Sequence, residues 1–152
     1  MSPTRDIAST VPGDHLGPDV SLIVPTRNRP ERLHDTLAAI DATLTAHDAA
    51  HRCEVVVIDD ASDRGALSSM PRRLPGGTPL RFGRRETSLG AACRNDAAAM
   101  ASAPWLLMLD DDSWPMDAGF LSIAAGAAAD VAVIGLDIRL PGERREAGGL
   151  PE

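Results

Sequence analysis

Residues 105–115 read WLLMLDDDSWP, an apolar run that stops abruptly at three consecutive aspartates. The apolar part is typical of a buried strand, and Pro115 ends the local pattern. Three adjacent carboxylates repel one another, so a fold that gathers them usually places a cation nearby. Open α/β sheets bind their ligands beside the carboxyl ends of the strands. The stretch therefore predicts an α/β fold that holds a divalent metal at Asp110 and Asp112.

The rest of the chain alternates between strand and helix patterns. Short apolar runs predict strands at residues 20–25, 54–58, 80–84, 105–109 and 131–136. Helices are predicted from residue 30, around residues 65–70, from residue 88, and over residues 117–129. This alternation implies a mostly parallel sheet with helices on both faces.

Two of the predicted helices have one apolar face. Pro30 suits the opening turn of the first helix, and Asn28 is available as its cap. Apolar residues then follow at spacings of four, three and four: Leu33, Leu37, Ile40 and Leu44. In the helix from residue 88, the expected buried face consists of Leu89, Cys93, Ala97 and Met100.

Length and composition limit the classes of function. A chain of 152 residues suits one domain, which we expect over residues 19–152 after a flexible tail at residues 1–18. The net charge of −7 argues against a nucleic-acid partner, because such binding depends on positive charge. Two cysteines indicate no disulfide framework and favour a cytoplasmic location. No transmembrane segment is expected, since the longest mildly apolar stretch, residues 123–136, contains Asp130.

Three of the predicted strands end in polar residues that a parallel sheet brings to one edge. Thr26 follows the first strand, Asp59 and Asp60 the second, and Asp110 and Asp112 the fourth. A carboxylate there can accept a base imide N–H or a ribose hydroxyl. The last two acids can hold Mg²⁺ or Mn²⁺, which prefer oxygen ligands and would bridge to a diphosphate.

A nearby arginine adds positive charge to this edge. Arg94, near the start of its helix, can contribute a charge-assisted contact to a phosphate or a base. The sequence contains neither GxGxxG nor GxxxxGK[ST], so a dinucleotide or P-loop site is not supported.

Four ordered motifs carry a resemblance to a known family: VSLIVPTRNRPERL, EVVVIDDASD, SLGAACRNDA and WLLMLDDDSWP. Together they resemble the N-terminal half of a family 2 glycosyltransferase of GT-A fold, over roughly residues 20–140. The resemblance implies a nucleotide-sugar donor, usually carrying UDP, and a Mg²⁺ or Mn²⁺ cofactor.

The resemblance also implies roles for individual residues. Pro25, Thr26 and Arg27 would lie against the nucleoside. Asp59 or Asp60 would recognise the uracil, and Arg94 would sit beside the nucleotide. The DXD motif falls on the three aspartates: Asp110 and Asp112 would hold the metal, with Asp112 as the direct ligand, and Asp111 would belong to the nucleotide-sugar site.

The acceptor side of such an enzyme has no counterpart that we can recognise. Family members continue into an acceptor-binding half that carries the general base, whereas Glu143, Glu146 and Glu152 match no such context. The acceptor and the catalytic base are therefore unknown. We expect a truncated GT-A domain that binds the donor without completing transfer. The alternative is a catalytically incomplete fragment that binds a nucleotide or a partner, either a second copy or a complementing C-terminal half.

Other site classes are weaker. His47, His51 and Cys53 lie close together in sequence, but no second ligand pair supports a zinc site. A receiver domain needs a lysine, and the chain has none. In a DxDx[TV] phosphatase motif, Trp114 would replace the Thr or Val. Trp114 either lines the donor pocket or simply packs.

Overall fold

The computed structural model describes residues 17–63, 67 and 70–136. The tail expected at residues 1–18 and the short helix expected around residues 65–70 lie mostly outside this part of the chain. Glu143, Glu146 and Glu152 lie wholly outside it.

A four-stranded parallel sheet forms the centre of the fold. Its strands are β1 (Val20–Thr26), β2 (Cys53–Asp59), β3 (Leu80–Arg84) and β4 (Trp105–Met108), in the order β3-β2-β1-β4. Each of the four agrees within a residue with the strand predicted at that point of the sequence, so these predictions are confirmed.

Helices cover both faces of the sheet: α1 (Pro30–Ala46), α2 (Cys93–Met100) and α3 (Gly119–Gly126). The side chains of α1 and α3 share one buried cluster with Leu22 and Val55 of the sheet. On the opposite face, Cys93 and Ala97 of α2 pack with Val56 and other strand residues. The predicted α/β arrangement is therefore confirmed.

The long helix α1 is held to the sheet by its predicted apolar face. Leu33, Leu37, Ile40 and Leu44 are all buried. Each such side chain contributes roughly 1.5–3 kcal/mol through burial. The expected cap is wrong, because the helix begins after Arg29 without a side-chain cap and Asn28 instead accepts a hydrogen bond from Asp63 N.

Three predicted features differ from the structure. No strand forms at residues 131–136, where Val133 is 85% exposed, because a strand exists only when a neighbour pairs with it. The helix predicted over residues 117–129 is shorter and ends at Gly126. Leu89 is exposed, since the helix expected from residue 88 begins only at Cys93, after a 3₁₀ turn at residues 90–92.

The strand order places a crevice between β1 and β4. From β1 the chain first adds β2 and β3 on one side, and then crosses to add β4 on the other side of β1. At such a reversal the connections after neighbouring strands diverge, which opens a crevice beside their carboxyl ends. Thr26 ends β1, and Asp110 comes two residues after β4, so both lie at this opening.

Candidate functional site

A cleft of about 510 Å³ opens at the carboxyl edge of the sheet. It is lined by the end of β1, by residues that follow β1, β2 and β4, by the segment between β3 and α2, and by the start of α2: Pro25, Thr26, Arg27, Arg29, Asp60, Ser88, Gly90, Ala91, Cys93, Arg94, Asp110 and Asp111. Segments more than 80 residues apart in sequence therefore meet in one cleft.

Most of the residues predicted from the sequence line this cleft: Pro25, Thr26, Arg27, Asp60, Arg94, Asp110 and Asp111. Asp59 and Asp112 do not line it, although Asp112 is exposed directly beside Asp111. Trp114 is also absent from the lining and is 40% exposed.

Asp60 is a buried carboxylate that organises the segment before α2. It accepts three hydrogen bonds, from Ser88 Oγ at 2.6 Å and from the backbone N–H groups of Leu89 and Gly90 at 2.8 Å. Burial alone would raise the pKa of Asp60, but these hydrogen bonds outweigh burial and lower the pKa below its ordinary value of 3.8. Asp60 therefore stays ionised at neutral pH.

Its neighbour Asp59 has a different role, because its side chain is fully buried. Oδ1 accepts the Ser62 backbone N–H at 2.9 Å, and Oδ2 lies 3.3 Å from Arg84 NH1. Arg84 in turn donates to the Ser62 carbonyl at 2.6 Å. Asp59 thus holds the turn after β2, and Asp60 is the member of the pair that reaches the cleft.

On the other wall, Arg94 of α2 forms an ion pair with the Asp110 carboxylate. The Arg94 guanidinium is 28% exposed and the Asp110 side chain is 68% exposed, so the pair lies at the mouth of the cleft. The positive charge of Arg94 partly balances the repulsion among the three aspartates.

Asp111 points inward. Its side chain is 9% exposed, with Thr26 Oγ1 at 3.2 Å from Oδ2 and Arg29 NH1 at 3.1 Å from Oδ1. Sequence reasoning missed Arg29, although this residue lies in the same short connection as Arg27. It also missed Ser88 and Cys93, which belong to the SLGAACRNDA motif.

The exposed carboxylates of Asp110 and Asp112 fit Mg²⁺ or Mn²⁺. These cations prefer oxygen ligands, and Mg²⁺ is usually bound by one or two carboxylates together with substrate phosphates and water. Within residues 17–63, 67 and 70–136, no group of three or more His, Cys, Asp or Glu side chains forms a ready metal cage. Two carboxylates that leave the remaining positions to a diphosphate and water match this pattern.

The weak zinc hypothesis receives no support. His47 and His51 are exposed on the surface, whereas Cys53 is fully buried in the core. Burial raises the pKa of the Cys53 thiol to about 12, so the thiol is protonated at neutral pH.

The described segments contain no helix with the length and apolar character needed to cross a bilayer.

Comparison with known proteins is consistent with this geometry. The sequence profile of Glycosyl transferase family 2 matches residues 21–146, which is most of the chain. The chain belongs to this family. No curated protein sequence matches it.

Solved structures share the fold of this family 2 domain. S. aureus TarS 1–349 is 27% identical with a TM-score of 0.52, and its complex with UDP-GlcNAc is 26% identical with a TM-score of 0.54. The mannosyltransferase PcManGT from Pyrobaculum calidifontis, in complex with GDP-Man and Mn²⁺, is 28% identical with a TM-score of 0.60.

These matches cover most of this chain but a small part of the other proteins. They include 70% of the chain for both TarS structures and 75% for PcManGT. The chain spans only 31%, 30% and 34% of the three solved structures, in the same order.

Proposed function

We propose that the cleft binds a nucleotide-diphospho-sugar, with UDP as the first choice of nucleotide, for transfer of the sugar to an acceptor that is not yet known. The observation that carries this proposal is the meeting of Asp60, Arg94 and Asp110 in one cleft at the carboxyl edge of a parallel sheet. Asp60 lies on one wall, and Arg94 lies with Asp110 on the other. This arrangement suits a ligand that has hydrogen-bond donors at one end and phosphates at the other.

The nucleoside end lies near Asp60 in this proposal. An ionised carboxylate offers about four acceptor positions, and three donors of the protein hydrogen-bond to Asp60. About one position is left for a base imide N–H, on Oδ1, which also forms an ion pair with Arg85 Nε at 3.8 Å. The lowered pKa of Asp60 supports this role, because only the ionised form accepts at every position. Pro25, Thr26 and Arg27 form the adjoining wall.

The diphosphate end lies near Arg94, Asp110 and Asp112. Asp110 and Asp112 would hold the divalent cation. When bound, such an ion neutralises charge on the diphosphate as the leaving group forms. Arg94, now paired with Asp110, would place a second positive charge beside the same phosphates.

The solved structures support the ligand class. TarS has been solved with UDP-GlcNAc, and PcManGT with GDP-Man and Mn²⁺. Both ligands are nucleotide-diphospho-sugars, and one of the two complexes contains a divalent cation.

Titration calorimetry with UDP tests the proposal. We expect UDP to bind about tenfold more tightly with Mn²⁺ than with EDTA, a ratio that we call the metal enhancement. Asp112→Asn should abolish the metal enhancement. The matched control is Asp35→Asn, which changes an exposed aspartate on α1. If the affinity of the wild-type protein for UDP were the same with Mn²⁺ and with EDTA, the metal role would be refuted. Tighter binding of GDP than of UDP would assign guanine as the base of the donor.

The cytoplasm is the location that we propose for this domain. Cys53 and Cys93 are both buried and have free thiols. They pack in separate clusters on opposite faces of the sheet, so they do not form a disulfide with each other. Free buried thiols are typical of proteins in a reducing compartment.

A further inference from the structure

The three consecutive aspartates, which we call the acidic loop (residues 110–112), have different surroundings. Asp110 and Asp112 are exposed, whereas the Asp111 side chain is 9% exposed. A buried carboxylate between two exposed ones is unfavourable unless it is paired, because burial removes water and the neighbouring charges repel it. The contacts of Asp111 explain why its side chain points inward.

Asp111 joins the acidic loop to β1 and to the start of α1 through its side chain. Thr26 Oγ1, at the end of β1, donates a hydrogen bond of 3.2 Å to Oδ2. Arg29, directly before α1, lies 3.1 Å from Oδ1 and neutralises the buried charge. Both carboxylate oxygens therefore have partners within the protein.

The backbone of Asp111 is also fixed. Thr36 Oγ1 donates a hydrogen bond of 2.7 Å to the Asp111 carbonyl. Thr36 is fully buried on the otherwise apolar face of α1, between Leu33 and Leu37. A hydroxyl at such a position needs a partner, and the Asp111 carbonyl supplies it. The acidic loop is thus attached to the helix by its middle residue.

We propose that Asp111 is a positioning residue, which fixes the acidic loop so that Asp110 and Asp112 are presented to a cation bound with a diphosphate. The inference rests on the proposed function, because that function assigns the cation to Asp110 and Asp112. We assign Asp111 an action through the loop because its side chain is 9% exposed and is held by Thr26 and Arg29, whereas Asp110 and Asp112 are exposed. Groups that orient metal ligands typically contribute about 10- to 100-fold to metal affinity.

Substitutions at Thr36 test this role without changing any residue that lines the cleft. Thr36→Val keeps the shape of the side chain but removes the hydrogen bond to Asp111, whereas Thr36→Ser retains a hydroxyl. Thr43→Val is the matched control, because Thr43 Oγ1 donates a similar bond of 3.1 Å to the Pro115 carbonyl, beyond the acidic loop. Asp111→Asn removes the ion pair with Arg29 directly.

Two affinities are measured by calorimetry for each variant, below its melting temperature. The first is the metal enhancement of UDP binding, and the second is the affinity for uridine, which has no phosphate. We expect Thr36→Val and Asp111→Asn to remove most, but not all, of the metal enhancement, while Thr36→Ser and Thr43→Val keep the wild-type value. Uridine affinity should stay within about twofold in Thr36→Val, Thr36→Ser and Thr43→Val, because neither Thr36 nor Thr43 lines the cleft.

Two results would overturn the positioning role. An unchanged metal enhancement in Thr36→Val and Asp111→Asn would show that the loop needs no such anchor. A fall in uridine affinity as large as the fall in metal enhancement would place Asp111 in contact with the nucleoside. A failure of the proposed function looks different, because the wild-type protein itself would then show no metal enhancement.

Discussion

Two carboxylate clusters lie at opposite edges of the sheet, and they differ in how completely the protein satisfies them. The Glu54 cluster, at the amino edge, consists of Glu54, Ser21, Arg81 and Ser102. The acidic loop lies at the carboxyl edge. Glu54 is 2% exposed, whereas the Asp110 side chain is 68% exposed. Because Glu54 is buried and Asp110 is exposed, we expect the two clusters to have separate roles.

Both carboxylate oxygens of Glu54 have partners within the protein. Oε1 accepts hydrogen bonds from Ser21 Oγ and Ser102 N, both at 2.6 Å, and Oε2 lies 3.0 Å from Arg81 Nε. These bonds tie the segment before β4 to β1 and β2, so the cluster is structural. At the other edge, Asp60 lines the cleft, and the Asp110 side chain remains 68% exposed although it pairs with Arg94, as expected for a surface that binds a ligand.

The largest predicted effect is a loss of protein stability when the Glu54 cluster is changed. Glu54→Gln should lower the free energy of unfolding by about 2–3 kcal/mol, because hydrogen bonds to a charged group are lost from a buried network. Urea unfolding measures the loss. The affinity of the folded variant for UDP should remain that of the wild type. Glu86→Gln, at an exposed position, is the control and should change stability by less than about 0.5 kcal/mol.

Asp110→Asn should give the opposite result. An exposed ion pair contributes little to stability, so the free energy of unfolding should change by less than about 1 kcal/mol. The metal enhancement of UDP binding should fall about tenfold, because Asp110 is a proposed ligand. If Asp110→Asn unfolded easily but bound UDP with full metal enhancement, the roles of the two clusters would be reversed.

The pH dependence of stability sharpens the comparison. Burial alone would raise the pKa of Glu54, but the hydrogen bonds from Ser21 and Ser102 outweigh burial, and the pKa lies below its ordinary value of 4.5. A carboxyl whose pKa is lowered in the folded state stabilises the fold above its unfolded pKa, and this contribution disappears as the pH falls through the folded pKa. The stability difference between wild type and Glu54→Gln should therefore be constant at pH 6–8 and shrink as the pH falls below 4.5. A difference that stayed constant at low pH would contradict the charge-based explanation.

The smallest predicted effect concerns backbone strain at the carboxyl edge. Ala61 has φ of +59°, a left-handed conformation that suits glycine better than alanine. Ala61→Gly should raise the free energy of unfolding by about 0.5–1 kcal/mol, since relief of strain outweighs the added freedom of the unfolded chain. Asn28→Gly, at φ of +54°, should instead destabilise the protein, because Asn28 Oδ1 accepts the Asp63 N–H at 2.7 Å. Equal changes in the free energy of unfolding of Ala61→Gly and Asn28→Gly would contradict this explanation.

The sequence predicted the sheet well, because burial leaves a local pattern. The strands β1 and β2 are buried on both faces and appear as continuous apolar runs, and α1 shows the spacing of a helix with one buried face. Residues 131–136 carry a similar apolar run without forming a strand. Pairing depends on a neighbour elsewhere in the chain, and local composition does not report it.

The sequence also predicted that most of the candidate residues would lie near one another, but it did not predict the orientation of individual acids. Parallel strands bring their carboxyl ends to one edge, which is why Asp60 and Asp110 could be grouped from sequence, whereas Arg94 on α2 was assigned to the site through the family resemblance. Asp59 points inward towards Arg84, and Asp111 points inward towards Thr26 and Arg29, which are far away in the chain. The bond between Thr36 and Asp111 spans 75 residues, and no sequence spacing indicates it.

We propose that the carboxyl edge binds a nucleotide diphosphate with a divalent cation, whereas the amino edge is structural. NMR of the ¹⁵N-labelled protein, titrated with UDP and Mg²⁺ and then with traces of Mn²⁺, tests both halves of this claim at once. We predict shifts at the amides of Arg27, Asp60 and Arg94, strong paramagnetic broadening at residues 110–112, and unchanged signals at Glu54 and Ser102. Broadening centred on Glu54, or no broadening at residues 110–112, would contradict the account.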